Sequence, residues 1–202
     1  YWTMLVAALA ISGIFPLAGF FSKDEILWSA WSGGHPVIWA LGFVTAGLTA
    51  FYMFRLVFLA FFGQARYSEE AGRHLHESPP SMTVPLAVLA VLSILGGFIG
   101  LPAWLGSNRF FLFLEPSLEH AVRHEHGEFA HSVELAFAVL SVGVALAGIY
   151  LAYRLFVARP GAAEALAQRW KGIHRLLYRK YYVDEIYDAA IVRPVVSTRS
   201  LR

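Results

Sequence analysis

The 202-residue sequence contains no cysteine. That excludes disulfides, thiolate metal sites, cysteine-ligated iron–sulfur clusters and cysteine nucleophiles. Charge is scarce too: Asp, Glu, Lys and Arg make up 15% of the chain, where a soluble domain carries roughly 25%. The net charge is only +2, too small to imply a polyanionic partner such as nucleic acid. No Gly-rich phosphate cradle, nucleotide loop or nucleophile motif is present. The close glycines Gly96, Gly97 and Gly100 fall inside an apolar run. Neither a basic n-region nor a small-residue cleavage site opens the chain, so Tyr1 does not begin a signal peptide. The sequence reads as an internal or C-terminal piece of a longer protein.

What is abundant is apolar surface. Hydrophobic residues account for 57% of the chain, and the mean hydropathy is +0.55. A soluble globule of this size could not hide so much. The excess is concentrated in four runs of about 20 residues or more, the length that crosses roughly 30 Å of hydrocarbon. The composition predicts an all-α, polytopic transmembrane bundle over 1–157. Its spans are expected near 2–31, 37–62, 82–101 and 133–157. Gly42 with Ala46, and Gly96 with Gly100, are small residues that let helix backbones approach in lipid.

Residues 158–202 differ. Leu166, Trp170, Ile173 and Leu177 recur at helical spacing, with Arg169, Lys171, Arg175 and Arg179 between them. This predicts a basic amphipathic helix on the membrane surface. Val183, Ile186, Tyr187 and Ala190 repeat the spacing, and Pro194 is expected to end or kink that second segment. The segment serves either as a surface anchor or as an arm that runs sideways to hold a partner. The Lys/Arg excess after the last span predicts that this flank lies on the cytoplasmic or matrix side. The acidic 102–130 linker, with Glu115, Glu119, Glu125 and Glu128, suits the opposite side.

The most informative stretch runs from Gly13 to Leu27. Two geometries compete. In one, the first span ends at Phe21, and Lys23, Asp24 and Glu25 sit at the interface with Lys23 snorkelling. In the other, the membrane segment continues past Trp31 to Gly33, too long for one straight crossing. Gly13, Pro16 and Gly19 then mark an unwound centre between two half-helices. Broken helices are tolerated at membrane depth only where they are buried in protein or line a polar cavity, and they typify ion-coupled transporters. Lys23 is expected in the first turn of the second half-helix. A lysine at that depth costs roughly 2.5–3.5 kcal/mol on insertion scales. Burial and a helix N-terminus favour its neutral form, while a carboxylate neighbour favours the ammonium. A lysine balanced in this way can take and release a proton.

Arg55 is the other intrusive charge. It lies about 10 Å from its span end at 1.5 Å per residue, within snorkelling reach. Arginine keeps its proton, so a functional Arg55 acts only electrostatically, on a carboxylate or on a titrating neighbour. His120 and His124 stand at i, i+4, a spacing that suits a metal on a helix. With His126 they lie in a polar linker with no apolar frame to order them. They read as solvated and titrating, as do His74 and His76, and no metal site is expected.

Several of these stretches resemble one family in order along the chain. Pro16-Leu17-Ala18-Gly19-Phe20-Phe21-Ser22-Lys23-Asp24-Glu25-Ile26-Leu27 is similar to the discontinuous-helix motif of the antiporter-like membrane subunits of respiratory complex I, NADH:quinone oxidoreductase. Phe51-Tyr52-Met53-Phe54-Arg55 resembles the helix that follows it. His76 to Met82 resembles the next linker. Tyr178 to Asp188 is similar to the stretch leading into the long lateral helix of the distal member.

The resemblance implies proton translocation, with Lys23 as the lysine of the outward half-channel, Asp24 beside it, and Glu25 and Arg55 as electrostatic modulators. It implies no cofactor in this chain; NADH, flavin, iron–sulfur and quinone sites are expected in partner subunits. Partners would be other membrane subunits of the complex, held through the lateral helix and neighbouring antiporter-like subunits, and the lipid bilayer. The expected location is the bacterial inner membrane, or the mitochondrial one. The inner half-channel and the final helix of such subunits are missing here, so the chain would be a fragment of the pump. Two other readings stay open: a subunit of a multi-subunit cation/proton antiporter, which shares the broken-helix motif, and a passive membrane scaffold whose charges are all interfacial.

Overall fold

The structure is a computed structural model and describes residues 1–63, 67–74, 76–101, 109–118, 128–159 and 161–199. It divides into two units, Tyr1–Ala158 and Arg159–Arg202. Among the described residues there is no β-strand. His120, His124 and His126 lie outside the described residues.

In the first unit, α1 (Trp2–Ile11), α2 (Ala18–Ser32) and α3 (Pro36–Phe61) follow in order. They precede α4 (Glu69–Arg73), α5 (Pro80–Leu95), α6 (Arg109–Leu118) and α7 (Glu128–Tyr153). A 3-10 turn, Gly96–Ile99, extends α5, and a π turn, Arg154–Ala158, extends α7. Among the described residues three helical stretches are long and apolar enough to cross a membrane: Pro36–Phe61, Pro80–Ile99 and Ser132–Ala158. They match the last three of the four expected runs. The first run is divided, as in the broken-helix geometry rather than the single span ending at Phe21, and α1 by itself is a short apolar helix.

The division is local chemistry. After Ile11 the chain closes a Schellman motif. Gly13 donates its N–H to the Ala10 carbonyl at 3.0 Å, and Ile14 donates to Leu9 at 3.2 Å. Gly13 has φ +71°, the left-handed conformation this motif needs and glycine adopts most cheaply. Pro16, which has no N–H to give, stands in the gap before α2. The other end of α2 repeats the device: Gly34 (φ +76°) donates to Trp31 and His35 donates to Ala30. Pro36 then opens α3, where its missing donor costs nothing.

Gly19 departs from expectation. It is the second residue of α2, not part of the unwound centre. Its role is approach: a Cβ there would overlap the Ala10 carbonyl oxygen, so the two half-helices come close at this point.

The helices meet through small side chains. On α7 the inward seam reads Glu134, Ala138, Ser141, Ala145, Gly148 and Ala152, at alternating spacings of four and three. All but Gly148 are buried. On α3 it reads Ala46, Ala50, Phe54 and Val57. At their crossing, a Cβ on Gly148 would stand 2.5 Å from the Gly47 carbonyl oxygen. Lipid tails are as apolar as leucine, so such close van der Waals packing, rather than water exclusion, holds spans together. Gly97 packs closely, against Phe21 and Ala18 of α2. A Cβ on Gly96 would meet nothing within 4 Å. α5 buries no residue, and Val84, Val88, Leu92 and Leu95 face outward.

The second unit contains α8 (Ala162–Arg169), α9 (Lys171–Tyr178), α10 (Val183–Tyr187) and α11 (Arg193–Arg199). The continuous amphipathic helix expected through Leu177 is therefore interrupted: Trp170, with φ −114° and ψ 44°, separates α8 from α9. The expected helix over the tyrosines is interrupted as well. Lys180, Tyr181 and Tyr182 all have positive φ, forming a left-handed turn before α10. Exposed pairs bracket it: Lys180 with Asp184 at 2.8 Å and Arg179 with Glu185 at 3.2 Å. Pro194 is the second residue of α11, where a first-turn proline is tolerated. The irregularity falls just before it, as a π turn over Asp188–Val192.

Candidate functional site

The site is built where α1 stops. A helix C-terminus leaves carbonyls without intrahelical donors, and the Schellman bonds satisfy only those of Leu9 and Ala10. The Ser12 hydroxyl is occupied, donating to the Ala8 carbonyl at 2.6 Å. The Ser12 carbonyl remains, and Lys23 supplies its donor: the Nζ lies 3.5 Å from that oxygen. Side chains on a helix lean toward its N-terminus, which carries the Lys23 stem from α2 back to the break. Gly13 makes room, since a Cβ there would stand 2.6 Å from Lys23 Cε and overlap Nζ.

This corrects the electrostatics expected for the lysine. Lys23 belongs to the second turn of α2, which begins at Ala18, not the first. Its amine meets the negative, carbonyl end of α1 rather than the positive end of a half-helix. A helix C-terminus attracts a cation.

Asp24 is the partner acid. One of its carboxylate oxygens lies 3.8 Å from Lys23 Nζ, with the two side chains 18% (Lys23) and 14% (Asp24) exposed. The Ser141 hydroxyl on α7 faces the same carboxylate but does not complete a hydrogen bond. Neither Asp24 oxygen nor Ser141 Oγ has a hydrogen-bond partner among the described residues. Among the described residues no ion pair joins Glu25 to Lys23. Glu25 lines a cavity of about 20 Å³ shared with Asp24 and Glu134, walled by Phe20, Trp28, Trp39 and Phe137. The wall is a ring cluster: the Phe137 ring lies 5.1 Å from that of Trp31 and 5.3 Å from that of Trp39.

Arg55 stands elsewhere in its contacts. It is exposed on α3, its guanidinium 5.3 Å over the Phe156 ring. Among the described residues no ion pair joins it to Lys23, Asp24 or Glu25. Pro16 lies in the break, with Phe15 before it packed edge-on against Phe20. Lys23, Asp24 and Gly13 are thus brought together, with Glu25 adjoining. The sequence reading missed Ser12, Glu134 and Ser141. Glu134 had a signal: it is a carboxylate at the start of an apolar run. Ser12 and Ser141 carried no signal, since serines are common packing residues in membrane helices.

Comparison with known proteins agrees with the resemblance. The NADH:quinone oxidoreductase/Mrp antiporter transmembrane family matches over residues 1–49. The chain is 41% identical over 208 residues to an NAD(P)H-quinone oxidoreductase chain 5 of Picosynechococcus sp., covering 94% of this chain and 31% of that protein. It is 36% identical over 197 residues to an NADH-quinone oxidoreductase subunit L of Pseudomonas aeruginosa, covering 96% and 29%. A subunit L of Rickettsia felis is 30% identical over 219 residues, covering 100% and 32%. The chain spans about a third of the length of these relatives. By this similarity, extending over nearly all its residues, the chain belongs to the antiporter-like chain 5/subunit L family of the quinone oxidoreductases.

Proposed function

We propose that this chain is part of a proton-translocating membrane subunit of an NADH:quinone oxidoreductase, in which Lys23 and Asp24 carry protons through an outward half-channel. The observation that carries the reading is the lodging of Lys23: a largely buried amine held between the open Ser12 carbonyl of a broken helix and the Asp24 carboxylate. An amine with both partners weak and long can lose its proton without an unsatisfied donor being left behind, and regain it without a new cavity opening. A surface anchor would instead extend to water. Asp24, whose carboxylate oxygens have no hydrogen-bond partner among the described residues, can accept a proton that Lys23 releases.

Redox cofactors in this reading belong to partner subunits, which supply the electron-transfer energy. The partners are other membrane subunits of the complex, and the basic second unit leads into an arm along them. The membrane is the bacterial inner membrane, or an organellar equivalent, with the basic flank inside.

The test is Lys23→Met in the full-length subunit of the assembled complex, reconstituted into sealed liposomes, with assembly checked by native gel. NADH oxidation and proton uptake are recorded together. The expected outcome is an intact complex with impaired pumping. Unchanged rate and unchanged protons per electron would make Lys23 an anchor and the segment a scaffold. The matched family also includes antiporter subunits. Sodium-dependent transport by the native assembly would favour that second reading.

A further inference from the structure

The mechanism proposed above ends at Asp24, yet the structure continues past it. The cavity of about 20 Å³ beyond Asp24 has carboxylates on two helices, Asp24 and Glu25 from α2 and Glu134 from α7. A space of this measure holds one water, which needs roughly 10–15 Å³ and two to four polar partners. Its remaining walls are aromatic and aliphatic side chains, so the carboxyl groups supply the side-chain acceptors for a water there. Glu134 is 8% exposed and sits on the inward seam of α7, four residues before Ala138 and seven before Ser141. Ser141 is 2% exposed, and among the described residues its hydroxyl has no hydrogen-bond partner while facing Asp24. Burying a lone hydroxyl in this way costs free energy. At position 141 packing alone would be served better by alanine, which stands at positions 138, 145 and 152 of that seam.

We propose that Glu134 is a further proton-carrying residue, exchanging a proton with Asp24 through a single water in this cavity, with Ser141 positioning the Asp24 carboxylate. The inference rests on the reading of Lys23 and Asp24 as proton carriers. The step balances without a co-reactant. The O–H bond of a protonated Asp24 breaks as its proton passes to the water. The water gives up one of its own protons to a Glu134 carboxylate oxygen, leaving Asp24 ionised, Glu134 neutral and the water unchanged. The proton has then moved from α2 to α7, away from Lys23. The aromatic wall of Trp28, Trp39 and Phe137 keeps bulk water from short-circuiting the transfer.

The experiment is a set of variants in the full-length subunit of the assembled complex in sealed liposomes, read by protons taken up per electron and by NADH oxidation. Lys23→Met tests the parent reading. Glu134→Gln keeps the shape of the side chain and removes its proton-accepting oxygen. Positioned acid–base groups are worth on the order of 100-fold in a proton-transfer step, so Glu134→Gln is expected to slow proton uptake severely, and Glu134→Asp to restore part of it. Ser141→Ala is expected to shift the pH profile of proton uptake while leaving assembly intact. If Glu134→Gln fails to assemble, Ala138→Val takes its place, filling the cavity while keeping all three carboxylates; it is expected to slow proton uptake likewise. Loss of pumping in Lys23→Met with normal pumping in Glu134→Gln, or in Ala138→Val where that variant stands in, overturns this inference and leaves the parent reading standing. Normal pumping in Lys23→Met overturns the parent reading itself.

Discussion

Gly13 leaves the space that the amine of Lys23 occupies: a Cβ on that glycine would overlap Nζ and stand 2.6 Å from Cε. The residue that ends the first half-helix is therefore also the residue that admits the lysine of the second. One position serves the backbone, through its φ of +71°, and the candidate proton carrier, through its missing side chain.

Gly13→Ala should fail on both counts. The left-handed backbone costs an L-residue roughly 1–2 kcal/mol, and the methyl displaces Lys23 from the Ser12 carbonyl. The expected outcome is a lower unfolding temperature of the detergent-solubilised complex together with impaired proton uptake. A stability loss without any change in pumping would separate the two roles and count against the lodging of Lys23 described here.

Lys23→Arg should be as damaging to transport as Lys23→Met. Arginine preserves the charge facing Asp24 and the Ser12 carbonyl, yet it does not release its proton. Assembly is expected to be normal and proton uptake to fall. If the arginine variant pumps like the native protein, a fixed positive charge suffices, and a titrating lysine is not needed.

Arg55→Lys should leave pumping near normal. The guanidinium lies over the Phe156 ring, a contact worth about 0.5–1 kcal/mol at an exposed site, and among the described residues it forms no ion pair with the Lys23–Asp24 site. A small drop in unfolding temperature is the expected result. A strong loss of proton uptake would instead support an electrostatic action of Arg55 on the site.

Two glycines of α7 should respond oppositely to alanine. Gly148→Ala places a methyl 2.5 Å from the Gly47 carbonyl oxygen and 3.2 Å from the Phe51 nitrogen; forcing α3 and α7 apart should cost about 1–3 kcal/mol, the usual range for overpacking. Gly143→Ala meets nothing within 4 Å and should be neutral or stabilising. Resistance of the complex to thermal unfolding in detergent measures both. Equal effects at the two positions would mean that α3 and α7 do not cross at Gly148.

Much of the architecture was determined by the sequence by itself, because the rules that set it act over a few residues. Apolar run length marked the spans. Gly13 followed by Pro16, and Gly34 followed by Pro36, carry the end-and-start chemistry of helices, so the break after Ile11 was legible as one of the two geometries that the sequence left competing. The relation of Lys23 to its partners was decided only in three dimensions. Spans that are apolar all round have no polar face to declare which side turns inward, so the rotation of α7 that buries Glu134 and Ser141 is set by Gly47 and Gly148 at its crossing with α3. The choice of Asp24 over Glu25 as the lysine's partner followed the same way. The two are adjacent on α2, separated by about 100° around a helix of 3.6 residues per turn. Which of them meets the amine depends on where α1 ends and where its last open carbonyl draws the lysine.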